Sequence, residues 1–509
     1  MSLEKNWETK RQQNLKGGAE KYHEKNLSKG KFFARKRIDL LIDKDSFIED
    51  GLFANQEAGG SLPADAVVTG FAKINGRAVG VLASDSTVKA GSWGWRSVEK
   101  MIRLQEQAGK LGIPIYYLMD SAGARITDQI QMFPGRRGAG KIFNMQCRLS
   151  GYVPQICVLF GPSAAGGAYV PAFCDVVIMV QGNASMYLGS PRMAEAVIGE
   201  KVTLDEMGGA KMHCSTSGVG DILADNEEEA LALAKKYLSY FPQNFSEDPF
   251  LEKSTQEKTP LNIEEILPDN PARSYDMMKV IDGVVDADSF FEIKKLFAKE
   301  LITGFAKIDG KNVGIVANQP RQKGGVIFVD SADKAARFVT LCDAFNIPLL
   351  FLTDVPGFMI GSQVEKAGII RHGAKMVYAI SEATVPKICV VIRKAYGAGL
   401  YAMCGPGFDP DCTISLAAGK IAVMGPDPAV NAVYFNKIQE LPPEERKAFI
   451  DEKKAAYEKD IHLEKLASEL VIDAVVDSKV LREELSKRFD FYSNKALEYY
   501  PRKHGVRPV

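Results

Sequence analysis

Two stretches of the chain alternate apolar and polar residues around a tight-turn dipeptide. One is VVTGFAKINGRAVGVLASD (67–85), centred on Asn75-Gly76; the other is TGFAKIDGKNVGI (303–315), centred on Asp309-Gly310. Period-two alternation broken by Asn-Gly or Asp-Gly predicts a β-hairpin with a type I′ turn. After each hairpin the period lengthens. SVEKMIRLQEQAGKLG (97–112) and SADKAARFVTLCDAFN (331–346) space their apolar residues for one helix face, with Ser97 and Ser331 expected as N-caps. Each helix leads into a short apolar run, IPIYYLMD (113–120) or IPLLFLTD (347–354), of the kind buried on both faces of a parallel sheet. The reading is α/β, built from repeated β-β-α units.

The match between the two stretches holds well beyond the hairpins. LGIPIYYLMDSAG (111–123) pairs with FNIPLLFLTDVPG (345–357), YVPQICVLFGPSAAGGAY (152–169) with TVPKICVVIRKAYGAGLY (384–401), and MYLGSPRMAEAV (186–197) with AVMGPDPAVNAV (422–433). The spacing between partners stays between 232 and 236 residues, so a whole domain is duplicated, unlike a solenoid whose repeats recur every ~20 to 50 residues. The expected domains are 1–245 and 266–509. A linker at 246–265 lies within PQNFSEDPFLEKSTQEKTPLNIEEILPDNPAR (242–273), which is rich in Pro, Glu, Lys and Asn.

Composition narrows the partners. Lys plus Arg equals Asp plus Glu at 64 each, so no net field favours nucleic acid or an anionic membrane. The eight cysteines include no Cys-x-x-Cys, which points to reduced, buried thiols and no metal site. The opening MSLEKNWETKRQQNLKGG has no apolar signal core, and a cytoplasmic protein is expected. The long uncharged run from Ile156 to Cys174 contains Gly161, Pro162, Gly166, Gly167 and Pro171. It is expected as a buried strand, a Gly-rich turn and a helix start rather than a membrane span.

Small residues cluster where the buried strands end, in DSAGAR (120–125) and DVPGF (354–358), then in GPSAAGGAY (161–169) and KAYGAGLY (394–401). Gly and Ala at a strand end leave backbone N–H groups uncovered, so a carbonyl oxygen can meet two donors, which is an oxyanion hole. Close packing of helix on strand would need the same residues. Sharper motifs fail. GRRGAGKI (135–142) places Ile142 where a nucleotide loop needs Ser or Thr, and GPSAA around Ser163 misses the last glycine of a nucleophile elbow. His213 and His372 are expected to be structural. Lys29, Lys31, Arg35, Lys36 and Arg37 in KGKFFARKRIDLLID (29–43) form either a phosphate-greeting cluster or a solvated helix face.

Several longer stretches resemble one family. MGGAKMHCSTSGVGDILAD (207–225), FNIPLLFLTDVPGF (345–358), GIIRHGAKMVYAISEATVPKICVVIRKAYG (368–397) and KIAVMG (420–425) are similar to carboxyltransferase (β) subunits of biotin-dependent acyl-CoA carboxylases. Within that family GGAYVPA (166–172) and YGAGLYAMCG (396–405) look more like the methylcrotonoyl-CoA than the propionyl-CoA type, and FPGRRGAG (133–140) is similar to glutaconyl-CoA decarboxylases. The resemblance implies two tandem crotonase-like (ClpP/crotonase) β-β-α spiral domains related by pseudo-twofold symmetry, and a ring of six subunits. It implies an active site where the first domain of one subunit, taking acyl-CoA, faces the second domain of its neighbour, taking carboxybiotin. Backbone oxyanion holes at Ala165-Gly166 and Ala398-Gly399 are implied, with Ala122, Gly123, Gly167 and Asp411 on the acyl-CoA side and Pro356, Gly357 and Gly397 on the biotin side. No cofactor is expected to be bound covalently. Carboxybiotin would come from a biotin carboxyl carrier charged by a biotin carboxylase, and a short or branched coenzyme A thioester, propionyl-CoA or methylcrotonoyl-CoA first, would be the substrate. The alternatives are a biotin-dependent acyl-CoA decarboxylase subunit, of glutaconyl- or methylmalonyl-CoA type, and a non-catalytic scaffold of a carrier complex.

Overall fold

Asn75 and Gly76 take φ of 49° and 78°, and Asp309 and Gly310 take 51° and 79°, the paired positive values of a type I′ turn. These turns join β2 (Val67–Ile74, after β1, Ile48–Asp50) to β3 (Arg77–Ser84) and, in the second copy, β10 (Leu301–Ile308, after β9, Phe291–Ile293) to β11 (Lys311–Asn318). Each turn is also held from below: Asp43 accepts from the N–H groups of Asn75 and Gly76 at 2.9 and 2.7 Å, and Asp286 from those of Asp309 and Gly310 at 3.0 and 2.8 Å.

The computed structural model describes residues 3–58, 60–252, 261–270, 273–495 and 500–508. The chain forms two compact units, Met1–Asp248 and Pro249–Val509. Of the expected linker, residues 253–260 lie outside the described residues.

The first unit continues through β4 (Ile115–Ser121), β5 (Gln155–Ala164), β6 (Val176–Val180), β7 (Ser185–Tyr187) and β8 (Ile222–Ala224). The second continues through β12 (Leu349–Val355), β13 (Lys387–Tyr396), β14 (Cys412–Ser415), β15 (Lys420–Ala422) and β16 (Ala474–Val475). The sheet orders match: β1-β2-β3-β4-β5-β6-β8 with β7 on β5, and β9-β10-β11-β12-β13-β14-β16 with β15 on β13. Registers repeat as well. Gly80 pairs with Ile115 as Gly314 pairs with Leu349, and the β4–β5 and β12–β13 ladders shift at equivalent places, Met119/Ser121 and Thr353/Val355. Both central strand pairs are buried throughout, as their unbroken apolar runs require.

Aspartates fix the parallel strands at their starts. Asp175 accepts from the Gln155 N–H at 2.7 Å while its own N–H donates to the Gln155 carbonyl, and Asp411 does the same to Lys387 at 2.8 Å. Asp221 and Asp473 repeat the device on Val177 and Thr413. A second duplicated pair is cationic. Buried Lys100 donates to the carbonyls of Ala64 and Val67, and Lys334 to those of Lys294, Phe297, Ala298 and Leu301; burial pushes their ammonium pKa values down to about 8 and about 7.

Three expectations are corrected here. The long helices run Trp95–Leu111 and Val329–Ala344, so Ser97 and Ser331 are their third residues rather than N-caps; their hydroxyls accept from the Gly94 and Phe328 N–H groups at 3.0 and 2.7 Å. All eight cysteines are free thiols, but Cys147 is exposed. The basic cluster at 29–37 is split: Lys29 and Lys36 are exposed, but the other three are not a solvated face. Arg37 is 1% exposed, Lys31 is buried, and Arg35 pairs with Glu49 at 2.6 Å.

Candidate active site

The sites follow from where β5 and β13 stop. After Ala164 the chain turns through Ala165, at φ 54°, into the short helical segment Ala165–Ala168; after Tyr396 it turns through Gly397, at φ 55°, into Ala398–Ala402. The first N–H groups of a helical turn have no partner inside it. Gly166, Ala398 and Gly399 carry such first N–H groups; Gly397 donates to the Ala422 carbonyl at 2.9 Å, and the parallel pairing of Ala164 with Tyr187 turns the Ala165 N–H toward β7 in the same way. Each unit thus starts a short helical segment, with its backbone donors, at the end of its longest strand.

Ala165 lies in the left-handed region that a side chain disfavours by ~1 kcal/mol. Ala165→Gly is therefore expected to leave the thermal midpoint level, since relief of that strain offsets glycine's similar loss of chain entropy. Ala165→Val, branched at Cβ, is expected to lower stability by about 1–2 kcal/mol, read by scanning calorimetry.

The glycines of the two turns do different jobs. A Cβ on Gly166 would meet only Phe143 Cζ at 4.0 Å, whereas one on Gly399 would lie 2.9 Å from Val355 Cγ2 and 3.0 Å from Gly357 Cα. At Gly399 close packing explains the residue; at Gly166 it does not. Gly167 is buried, and its carbonyl accepts from Ser163 Oγ at 2.9 Å.

The ends of β4 and β12 flank these turns. Gly123, at φ 95°, would bring a Cβ to 3.1 Å from the Ala164 carbonyl, and Gly357, at φ 135°, one to 3.9 Å from the Tyr396 carbonyl. Trp93 N–H donates to the Gly123 carbonyl at 2.8 Å, as Ile327 N–H does to Gly357 at 3.1 Å. Ala122 and Pro356 directly precede these glycines; the Ala122 N–H donates to the Ala90 carbonyl. Ala122, Gly123, Gly166 and Gly167 therefore gather at one strand-end cluster, and Pro356, Gly357, Gly397, Ala398 and Gly399 at another. Asp411 joins neither. It precedes β14, at the end of the sheet opposite Gly397, and its carboxylate is held by the Lys387 N–H and by Lys495 Nζ at 2.9 Å.

Beneath each cluster lies an aspartate that the motif search passed over, although it stands in both copies. Asp120 accepts from Lys31 Nζ at 2.8 Å and Arg37 Nη1 at 3.1 Å, and Arg37 clamps Glu227 through two 2.7 Å bonds while stacking 4.3 Å from the Phe160 ring. Burial opposes the Asp120 charge, but Arg37 and Lys31 outweigh it, and the pKa falls below the usual range. Asp354 accepts from Arg393 Nε at 3.0 Å; there burial outweighs the charges of Arg393 and Lys394, and the pKa rises.

Other candidate chemistry is spent locally. Ser163 is fully buried, His213 binds Ser217 and the Met186 carbonyl, and His372 binds Asp333, each at 2.8 Å. Arg137 of GRRGAGKI is tied to Glu99 and Glu106. Among the described residues no cluster of His, Cys, Asp or Glu is placed to hold a metal, and no helix is long and apolar enough to cross a membrane.

Residues 25–507 match the family model for the carboxyl transferase domain. The chain belongs to the carboxyl transferase family. It is 62% identical, over the full length of both chains, to the "uncharacterized carboxylase YngE" of Bacillus subtilis (strain 168). It is 40% identical, over 98% of each chain, to the propionyl-CoA carboxylase carboxyltransferase subunit of Haloferax mediterranei. Among solved structures it superimposes on the transcarboxylase 12S subunit, described as a hexamer and carrying methylmalonyl-coenzyme A and methylmalonic acid. The TM-score is 0.94 at 38% identity, covering 100% of this chain and 99% of that one. The carboxyl transferase fold of two tandem crotonase-like domains, expected from the resemblance, is thereby shown.

Proposed function

We propose that this carboxyl transferase is the carboxyltransferase subunit of a biotin-dependent acyl-CoA carboxylase, moving a carboxyl group from carboxybiotin to a short or branched acyl-CoA. The observation that carries the reading is the pair of strand-end turns that hold Ala165-Gly166 and Ala398-Gly399, each opening a helical segment after the corresponding strand of two duplicated units. On the acyl side the first turn would receive the thioester oxygen, where negative charge builds as the α-proton leaves. On the biotin side the second turn would receive the ureido oxygen. Carboxybiotin, when bound, supplies the carboxyl group and the ureido nitrogen that takes the α-proton. Preorganised backbone donors at each oxyanion need no side-chain acid or base, and each is worth about 3 kcal/mol to such a transition state.

Ala122, Gly123 and Gly167 are assigned to the acyl-CoA side and Pro356, Gly357 and Gly397 to the biotin side, in keeping with the clusters they form. Asp411 is left out of this assignment because its carboxylate clamps β13. The Haloferax relative's name and the methylmalonyl-coenzyme A in the transcarboxylase support an acyl-CoA substrate with propionyl-CoA the first choice. They also support a biotinylated carrier and biotin carboxylase as partners, and a hexamer.

The test mixes the purified chain with a biotin carboxylase and biotinylated carrier and offers acetyl-, propionyl-, butyryl- and methylcrotonoyl-CoA with ATP and bicarbonate. Carboxylation of propionyl- or methylcrotonoyl-CoA above the others is the expected result. No turnover of any thioester by a partner of proven competence would overturn the proposal, and faster CO2 release from methylmalonyl- or glutaconyl-CoA than carboxylation would reassign the chain as a decarboxylase subunit.

A further inference from the structure

The motif MGGAKMHCSTSGVG (207–220) has no part in the two turns, yet it reaches the first of them. β7 pairs in parallel with Pro162–Ala164, the last residues before Ala165, and Met186 is its middle residue. The Met186 carbonyl is met by His213 Nε2 at 2.8 Å, while His213 Nδ1 lies 2.8 Å from Ser217 Oγ across the π-helical turn His213–Ser217. A carbonyl can only accept, so Nε2 carries the hydrogen and Nδ1 of the uncharged ring accepts from the Ser217 hydroxyl. Burial lowers the His213 pKa and so favours that uncharged ring.

The glycines of the motif make this approach possible. A Cβ on Gly208 would fall 2.3 Å from the Met186 carbonyl oxygen, one on Gly209 2.6 Å from the Asp205 carbonyl, and one on Gly220 2.6 Å from Cys214 Sγ. Gly209 also bridges to Ser185 of β7. The second unit serves as an internal control. β15 pairs with Lys394–Tyr396 as β7 pairs with Pro162–Ala164, but Ile421 stands in the place of Met186 and packs in an apolar cluster with Leu463, Leu466 and Ile472. Among the described residues the histidine clamp belongs to the first turn alone, and π-helical turns recur at functional sites.

We propose that His213 is a positioning residue for the acyl-CoA-side turn: its Nε2–H holds the Met186 carbonyl, which fixes β7 and, through the β5–β7 pairing, the direction of the Ala165 and Gly166 N–H groups. This rests on the function proposed above. Misplacing reacting groups by about 1 Å costs on the order of 100-fold in rate, so His213→Leu is expected to lower kcat by about 100-fold while KM for the acyl-CoA moves by no more than about threefold. His213→Gln, whose amide N–H reaches the same carbonyl, is expected to recover most of the kcat. Ser217→Ala, at an exposed residue, is expected to lower kcat by about 10-fold without moving the thermal midpoint, and it decides the matter should His213→Leu fail to fold.

The assay is the one described above, run on the full chain with its carrier. A His213→Leu protein that assembles and keeps wild-type kcat, or a His213→Gln protein as slow as His213→Leu, overturns the role of His213 alone. Where His213→Leu does not fold, undiminished kcat in Ser217→Ala overturns it. A wild-type chain inactive with every thioester overturns the function itself and this role with it.

Discussion

Replacing Gly166 with valine is expected to lower kcat/KM for the acyl-CoA by about 100- to 1000-fold and to leave the fold and its thermal midpoint unchanged. The fold tolerates the change because Gly166 is exposed, its φ is not in the left-handed region, and an added Cβ would meet only Phe143 Cζ at 4.0 Å. Under the proposed function activity would not tolerate it, because the branched side chain would stand in the approach to the Ala165-Gly166 turn and displace the thioester oxygen. Steady-state kinetics with the biotinylated carrier, alongside calorimetry, separates the two effects. Full activity in Gly166→Val would show that the thioester oxygen is held elsewhere. A lost fold would show that Gly166 is a packing residue.

Replacing Arg37 with methionine is expected to do the opposite, removing stability first. Arg37 carries two buried carboxylates, Glu227, whose side chain has no exposure, and Asp120, which would keep only Lys31. Breaking such a network by deleting one partner costs about 3–5 kcal/mol, because the remaining charge stays buried and uncompensated. For a unit of this size that lowers the thermal midpoint on the order of 10 °C. Pairing Arg37→Met with Glu227→Gln is expected to restore part of the loss, since the two residues share one interaction and their effects do not add. If the basic cluster served coenzyme A phosphates instead, Arg37→Met would raise KM for every thioester and leave the midpoint where it was.

Those two positions also mark what a linear reading of this chain reaches. Both hairpins, both long helices and the buried strands were legible, because local propensity, periodicity and turn chemistry agree there. So was the duplication, and with it the correspondence of the strand-end turns. Arg37 was misjudged because its partners lie 83 and 190 residues away; no window around KGKFFARKRIDLLID contains Asp120 or Glu227. Ser97 and Ser331 have the right residue type for an N-terminus but act three residues into the helix, where a hydroxyl accepts from the capping N–H just as a capping-box side chain does. Asp411 was placed on the acyl-CoA side by resemblance alone, and in space it clamps the start of β13. The backbone donors of the two turns could only be inferred, since Gly and Ala show where a backbone could be open without saying which donors the rest of the fold has already used, as the β5–β7 pairing uses that of Ala165.

The contrast between Gly166 and Gly399 bears on how such a chain can diverge. At the second turn the fold itself polices the residue, for any side chain at 399 collides with Val355 and Gly357. At the first turn a Cβ at 166 meets only Phe143, and the place equivalent to it in the second turn is already filled by Ala398. Under the proposed function, substitutions at 166 would alter the acyl-CoA side without unfolding the chain, whereas Gly399, on the carboxybiotin side, is held by its own packing.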